Sequence, residues 1–330
     1  MNMKIGVLPH GKRNLISDVP GVRVGHCTVD AVDCHTGVTV VLPPVENPYL
    51  NKLTAASWVF NGYGKTLGLV QVDELGTLET PIALTNTLNV GKVHDALVSY
   101  MIGQCEKDGV SLTSVNPVVC ECNDSRMSAI GKRPVGEKEV LAAIAAASAD
   151  FAQGAVGAGR GTTCYGMKGG IGSASRLMEI DGETYALGVL VQSNYGASAD
   201  FRAACLPPGL AESDQGSIIL VLATDLPLSA RQLRRVIRRM SVGMARLGSY
   251  IGHGSGEIAV GFTTAPRREM GGSFLTQRVL KEELMNLPFR AAGECAEEAI
   301  LQSMWHADAD TALDGSRIPC LRDYLKEAGL

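Results

Sequence analysis

The chain has 330 residues, 45% of them hydrophobic and 19% charged, with a mean hydropathy of +0.10. That composition excludes a disordered chain and supplies a sizeable core, while 30 basic against 34 acidic residues (net charge −4) lack the positive excess of a nucleic-acid binder. No apolar run reaches the ~18 residues of a membrane helix, and the opening MNMKIGVLPHGKRNLISD lacks the layout of an export signal.

The predicted elements interleave along the chain. Residues 37–43 (GVTVVLP), 55–61 (AASWVFN) and 67–72 (LGLVQV) read as strands, continuous rather than alternating, hence buried on both faces. Residues 137–151 place Val140, Leu141, Ile144 and Phe151 at helical spacing, with Gly154 as a stop. Strands follow at 186–192 (ALGVLVQ) and 217–223 (SIILVLA). Ser229 caps a helix whose stripe is Leu233, Val236, Ile237, Met240, Met244 and Leu247. That helix also carries Arg231, Arg234, Arg235, Arg238, Arg239 and Arg246, which in an acidic chain read as a solvated outer face rather than a phosphate-binding one. A strand at 257–264 (EIAVGFTT) and a helix at 289–305, after a break at Pro288, complete a layered α/β body.

Several motif readings fail on spacing. The Gly-rich stretch 154–175 (GAVGAGRGTTCYGMKGGIGSAS) contains neither a phosphate-loop pattern nor a dinucleotide fingerprint, so it reads as a loop shaping a pocket wall. His26, Cys27, Cys34 and His35 form adjacent pairs without the offsets of a zinc site, so no metal is expected. The nine cysteines, without a CxxC pair, suit reduced thiols in a cytoplasm. Around Ser255 the offsets of a nucleophile elbow are wrong.

Ser217 is different: it follows Asp214-Gln215-Gly216 and opens the strand SIILVLATD. Attack of its hydroxyl on the Gly216 carbonyl gives an N→O acyl shift, and hydrolysis of the ester frees an N-terminal serine. An α-amine titrates near 7.7–8.0, so its neutral form can serve as base to its own hydroxyl. Gly216 tolerates the strained turn this needs. By pattern alone, an ordinary Gly–Ser strand start is the commoner meaning of such a pair. Ser255 and Glu257, at i and i+2, share a strand face, where a hydroxyl beside a carboxylate can orient a nucleophile; a solvated strand end is the plainer alternative. Glu121, in VVCECND, could receive a substrate ammonium or be a turn acid. Asn194, in VQSNYG, could donate its amide to an oxyanion or simply make a turn.

Together these blocks resemble the L-aminopeptidase/D-Ala-esterase/amidase family, which includes the β-peptidyl aminopeptidases. The blocks are ISDVPGVRVGH from Ile16, TGVTVVLP from Thr36, FNGYGK from Phe60, TPIALTNTLNVG from Thr80 and VCECND from Val119. They continue in order with the stretch to Arg176, VLVQSNYG from Val189, GSIILVLATDLPL from Gly216 and GSGEIAVGF from Gly254. The resemblance implies a four-layer αββα sandwich like that of N-terminal-nucleophile hydrolases, with different connectivity, in one domain over 1–330. It implies autocleavage between Gly216 and Ser217 into chains 1–216 and 217–330, and a homo-oligomer, tetramer or larger. Ser217 would be nucleophile and new N-terminus, Ser255 and Glu257 its support, Asn194 part of the oxyanion hole, and Glu121 the binder of the substrate amine. The implied reaction removes an N-terminal residue from short peptides, amides or esters through an acyl-enzyme, without metal or organic cofactor, in the cytoplasm, with no nucleic-acid or membrane partner. Relatives carry Tyr two residues after the amine-binding Glu, and here that place is Asn123; the loop between Asn194 and Ser217 is also short, at the expected pocket entrance. An acyltransferase, a hydrolase of linear or cyclic amide oligomers, and an uncleaved binding protein are the competing readings.

Overall fold

The computed structural model describes residues 5–202, 215–269 and 273–327. The elements of the first half are β1 (Arg23–Ala31), β2 (Cys34–Leu42), β3 (Leu53–Gly62), α1 (Leu69–Leu75), β4 (Thr77–Leu78), β5 (Ile82–Asn86), α2 (Val90–Lys107), β6 (Val118–Cys122) and α3 (Glu137–Ala145). The middle of the chain holds β7 (Thr163–Cys164), β8 (Met167–Lys168), β9 (Gly170–Ile180), β10 (Glu183–Asn194), β11 (Gln215–Thr224), α4 (Ala230–Ile237), α5 (Met240–Arg246) and β12 (Gly254–Thr263). Beyond them lie β13 (Arg267–Glu269), β14 (Leu275–Gln277), α6 (Asn286–Trp305), β15 (Asp310–Thr311), β16 (Arg317–Ile318) and α7 (Leu321–Glu327).

Two sheets stack face to face. One runs β1-β2-β5-β6, the other β4-β3-β12-β11-β10-β9. Pairing is antiparallel except for β5 with β6 and β11 with β12. Between the sheets lies an apolar layer that includes Val41, Ile82, Leu84, Val118 and Cys120 from the first and Leu190, Ile219, Val221, Val260 and Phe262 from the second. Each of these is fully buried, and a buried Val, Leu or Ile contributes ~1.5–3 kcal/mol. On the outer face of the smaller sheet, Val93, Ala96 and Leu97 of α2 and Val140 and Ala143 of α3 pack on Val38, Val40 and Val119. On the outer face of the larger, α4, α5 and α6 cover Leu220, Leu222 and Ala259. The order helix, sheet, sheet, helix is the αββα sandwich that the family resemblance implied, and the strands are buried on both faces because helices cover what the sheet–sheet contact leaves open.

Four expectations are corrected. Residues 67–72 do not form a strand: Gly68 (φ +88) and Gly76 (φ +64) bracket the helix α1, with Val72 buried and Val70 87% exposed, the one-sided pattern of a helix. The helix from Glu137 ends at Ala145, well short of Phe151, because the chain turns there and Ser148 exchanges backbone hydrogen bonds with Val24 at 2.9 and 3.0 Å. Gly154 is accordingly not its stop; it pairs instead with Ile171 on β9. The helix from Ser229 is two helices, parted at Arg238 and Arg239, with the predicted stripe intact across the break. Pro288 breaks nothing: α6 starts at Asn286, and a proline in the first turn gives up only an N–H that has no partner there.

The arginines of α4 and α5 are occupied on the outer face. Arg231 and Arg235 pair with Glu282, Arg234 with Asp73 at 3.0 Å and Arg246 with Glu297 at 2.9 Å. Arg238 stacks over Trp58 and Arg239 over Phe289, 4.3 and 4.2 Å from the ring centroids. His26 is equally engaged, bonding Thr39 Oγ1 at 2.9 Å and the Ala152 carbonyl at 3.1 Å, and burial lowers its pKa to about 4. His35 bonds Asp30. Among the described residues no helix is long and apolar enough to cross a membrane.

Two buried charges tie the layers together. Arg176 on β9, 1% exposed, pairs with Glu294 at 3.1 Å and Glu298 at 2.7 Å on α6, and donates to the Ile5 carbonyl at 2.8 Å. Glu294 also accepts the Val7 and Leu8 N–H groups, so one network fastens residues 5–8 to sheet and helix. Lys168 on β8 is fully buried with no ion pair among the described residues. Its ammonium donates to the carbonyls of Thr162 (2.8 Å), Gly169 (3.2 Å) and Gly159 (3.4 Å), folding the Gly-rich stretch onto the β7–β8 hairpin. Desolvation, followed by the nearby Arg160 charge, lowers its pKa to about 7.

An unfolded lysine keeps its proton to about pH 10.4, so between pH 7 and 10 the unfolded chain binds more protons at this position and stability rises with pH. We predict that the stability of the wild type minus that of Lys168→Met is flat below pH 7. Above it, that difference climbs toward ~1.4 kcal/mol per pH unit in denaturant titrations. A pH-independent difference would refute the buried-lysine account.

Candidate active site

The three strands β10, β11 and β12 end together at one edge of the sandwich, where a cleft of about 630 Å³ opens. Its lining includes Ser217, Gly216, Asn194, Glu121 and Asn123, together with Tyr63, Lys65, Thr87, Arg126 and Thr163. Volumes of this order suit a small molecule rather than a protein surface.

Register places the floor. Asn194 of β10 faces Ser217 of β11 across an antiparallel pair, so the two side chains share a face. That face is the inter-sheet one, since Leu190 and Ile219, an even number of residues away, lie in the apolar layer between the sheets. Ser217 is 4% exposed, and its Oγ has no hydrogen-bond partner among the described residues. Asn194 Oδ1 accepts the Thr163 N–H at 3.0 Å, which turns the amide NH₂ away from that bond. Ser217 does not open its strand as expected; β11 starts two residues earlier, at Gln215. Gly216 is the residue that makes this possible. Its φ is +137°, and a Cβ there would stand 2.1 Å from the Asn194 carbonyl oxygen and 2.8 Å from Tyr195 Cα. Only glycine lets the two backbones approach so closely at that φ.

Ser255 and Glu257 lie inside β12, not at its start, and are fully buried. They flank Gly256, the parallel partner of Ser217, and Ser255 itself pairs with Gly216. The Gly216–Ser217 peptide bond therefore runs beside Ser255–Gly256. Alternation along β12 carries the Ser255 and Glu257 side chains to the helix-covered face, with Ala259, rather than into the cleft. Ser255 Oγ is buried with no hydrogen-bond partner among the described residues. The expected shared face of the two thus holds, while it is the face of the sheet opposite to the one that carries Ser217.

Glu121 ends β6 on the opposite sheet, 3% exposed. Its Oε1 accepts the Lys65 N–H at 3.0 Å and its Oε2 accepts the Thr87 hydroxyl. Both contacts hold the Glu121 side chain in a fixed orientation. Asn123 is exposed beside it, its Oδ1 accepting the Ser125 N–H at 3.0 Å. Residues 203–214, which form most of the short loop expected at the entrance and include Asp214, lie outside the described residues.

Sequence reading missed the residues that hold these groups in place. Thr163 fixes Asn194 through a backbone N–H, which no side-chain pattern signals. Thr87 and Lys65 fix Glu121 from segments distant in sequence; both stand in blocks that carry the family resemblance, the one available hint. Asn61 donates to the carbonyls of Gly252 (3.0 Å), His253 (3.1 Å) and Ser255, clamping the turn into β12. The Gly-rich stretch contributes Thr163 and Gly166 to the cleft wall, as expected of it.

Comparison with known proteins identifies the family and the fold. The model of peptidase family S58 matches residues 14–318. The β-peptidyl aminopeptidase BapA of Sphingosinicella microcystinivorans is 35% identical, over 93% of this chain and 85% of that protein. The crystal structure of the PH0078 protein of Pyrococcus horikoshii OT3 superposes with a TM-score of 0.91 at 43% identity, over 98% of this chain and 96% of the other. The L-aminopeptidase D-Ala-esterase/amidase of Ochrobactrum anthropi, described as a variant of the N-terminal-nucleophile hydrolase fold, superposes with a TM-score of 0.88 at 32% identity, over 98% and 96%. A family match over nearly the whole length, joined to a shared fold, establishes that the chain belongs to peptidase family S58.

Proposed function

We propose that the protein is a self-processing serine aminopeptidase/amidase that removes N-terminal residues from short peptides, amino-acid amides or esters. The observation that carries this reading is the buried Ser217 hydroxyl, which sits after a glycine no other residue could replace and across from the Asn194 amide, in a cleft that also holds Glu121.

Maturation is an acyl transfer followed by hydrolysis. Ser217 Oγ attacks the Gly216 carbonyl carbon, the C–N bond breaks, and the hydroxyl proton passes to the departing nitrogen. Water then opens the ester, leaving a Gly216 carboxylate and a free Ser217 with amine and hydroxyl. The new amine arises beside Ser255, with Glu257 two residues on, where a hydroxyl and a buried carboxylate can orient it. In turnover that amine, neutral in a substantial fraction near pH 7.5, takes the Ser217 proton as the oxygen attacks the substrate carbonyl. It returns the proton to the leaving amine, and water releases the acyl group. Asn194, held by Thr163, offers its NH₂ to the oxyanion. Glu121 takes the substrate's ammonium, the feature that would restrict attack to chain ends and disfavour blocked amides.

In this proposal the products of maturation are chains 1–216 and 217–330, no metal or organic cofactor takes part, and the mature enzyme is a cytoplasmic homo-oligomer, tetramer or larger. The intact mass of freshly purified protein under denaturing conditions tests the first step. Cleavage gives fragments of 216 and 114 residues, about 23 and 12 kDa as shares of 34.8 kDa. We predict that Ser217→Ala remains a single mass and has no activity; wild-type turnover in that variant would sink the mechanism. Asn194→Ala is expected to keep the fold by circular dichroism while kcat falls at least ~10-fold and up to 10²–10³-fold, the usual cost of one oxyanion donor. Glu121→Gln keeps one acceptor oxygen for the Lys65 N–H, turns its NH₂ toward the Thr87 hydroxyl, which can accept as well as donate, and removes the charge. It should raise KM for a free-amine substrate about 10-fold or more and leave N-acetylated analogues as poor as before. Equal turnover of free and N-acetylated substrates by the wild type would instead favour a hydrolase of amide oligomers.

A further inference from the structure

Glu121 is the single carboxylate among the described residues lining the cleft, and two cations line it as well, Lys65 and Arg126. Neither cation makes a close ion pair among the described residues; Lys65 Nζ lies 4.9 Å from the Tyr63 ring centroid, and Arg126 is exposed, its charge acting at longer range on Asp314. This contrasts with α4 and α5, where Arg231, Arg234, Arg235 and Arg246 are each matched to an acid. The Arg126 stem is not loose: its backbone carbonyl accepts the Leu313 N–H at 3.1 Å, and the next residue, Met127, is buried against Ala312 and Ile318. Asn123, with its amide oxygen turned onto Ser125, leaves its NH₂ as a further donor at the same wall. Among the described lining residues, two positive charges thus stand against one negative.

That excess is a poor match to a substrate carrying an ammonium alone, which Glu121 attracts and the two cations repel. It matches one carrying an ammonium and a carboxylate. We infer that the cleft contains a carboxylate-binding subsite, Arg126 with Lys65 and the Asn123 amide, and that the enzyme takes substrates bearing a carboxylate in addition to the amine bound by Glu121. The guanidinium supplies the bidentate fork and Lys65 a second point charge. This rests on the aminopeptidase reading. The carboxylate can come from the C-terminus of a dipeptide or from an acidic N-terminal side chain, and the two sources are separable.

The test compares kcat/KM for two matched pairs in wild type and Arg126→Gln: a dipeptide against its C-terminal amide, and an Asp-led against an Asn-led dipeptide amide. We expect the carboxylate member of one pair to be favoured about 10-fold, chiefly through KM, and the preference to shrink with added salt. In Arg126→Gln the ratio for that pair should fall to within about twofold. Which pair responds identifies the source. Ratios near one in both pairs, or a ratio unchanged in Arg126→Gln, overturn the subsite. If no substrate is turned over, the aminopeptidase reading fails, and calorimetric binding of the same pairs decides. A carboxylate preference lost in Arg126→Gln sustains the subsite, and its absence overturns it.

Discussion

The close approach of two backbones at the end of β10 and β11 is the constraint on which the rest of this molecule depends. At Gly216 the chain passes so near Asn194 that a methyl group would stand 2.1 Å from a carbonyl oxygen. The antiparallel register then delivers Ser217 opposite Asn194, and the parallel register on the other side delivers Gly256, with Ser255 beside the peptide bond that precedes Ser217. Shifting either pairing by one residue would send the serine to the helix-covered face and dismantle the arrangement. The rigidity of the sandwich is therefore part of the site. Ten-residue strands buried on both faces cannot slip without exposing the apolar layer between the sheets.

The two sheets divide the work between them. The larger presents the serine, the amide opposite it and the strand behind it. The smaller presents Glu121, clamped by a backbone N–H and a hydroxyl from segments that meet only in the fold. A cleft between sheets can hold a hydroxyl on one wall and a carboxylate on the other at a separation set by sheet packing rather than by flexible loops. The β7–β8 hairpin stands on the cleft wall and steadies Asn194 through Thr163, while buried Lys168, spread over three carbonyls, holds the Gly-rich stretch closed.

Much of this architecture was legible in the residues. Continuous apolar runs announced doubly buried strands, and five of six were strands in fact. The exception, residues 67–72, shows the limit of the signal: a short apolar run has no periodicity long enough to separate strand from helix, and Gly68 and Gly76 in left-handed conformations decided it. Helix ends were less legible than helices, since α3 stops where Ser148 finds a partner on β1, a contact formed only in the fold. The arginine-rich helix read correctly as a solvated face, because an acidic chain supplies counterions to it.

Function was legible to the degree that ordered blocks resembled a family, and family S58 is where the chain belongs. By itself the sequence determined the layers, the family and a short set of chemically capable residues, because composition, periodicity and ordered motifs are local properties of the chain. Only the tertiary structure decided which of these residues meet. It put Ser217, Asn194 and Glu121 around one cleft and turned Ser255 and Glu257 to the far side of the same sheet. It also brought Lys65 and Arg126, neither in a close ion pair among the described residues, to the same cleft. Register, sheet stacking and backbone hydrogen bonds are relations between segments distant along the chain, and no pattern within a single segment encodes them.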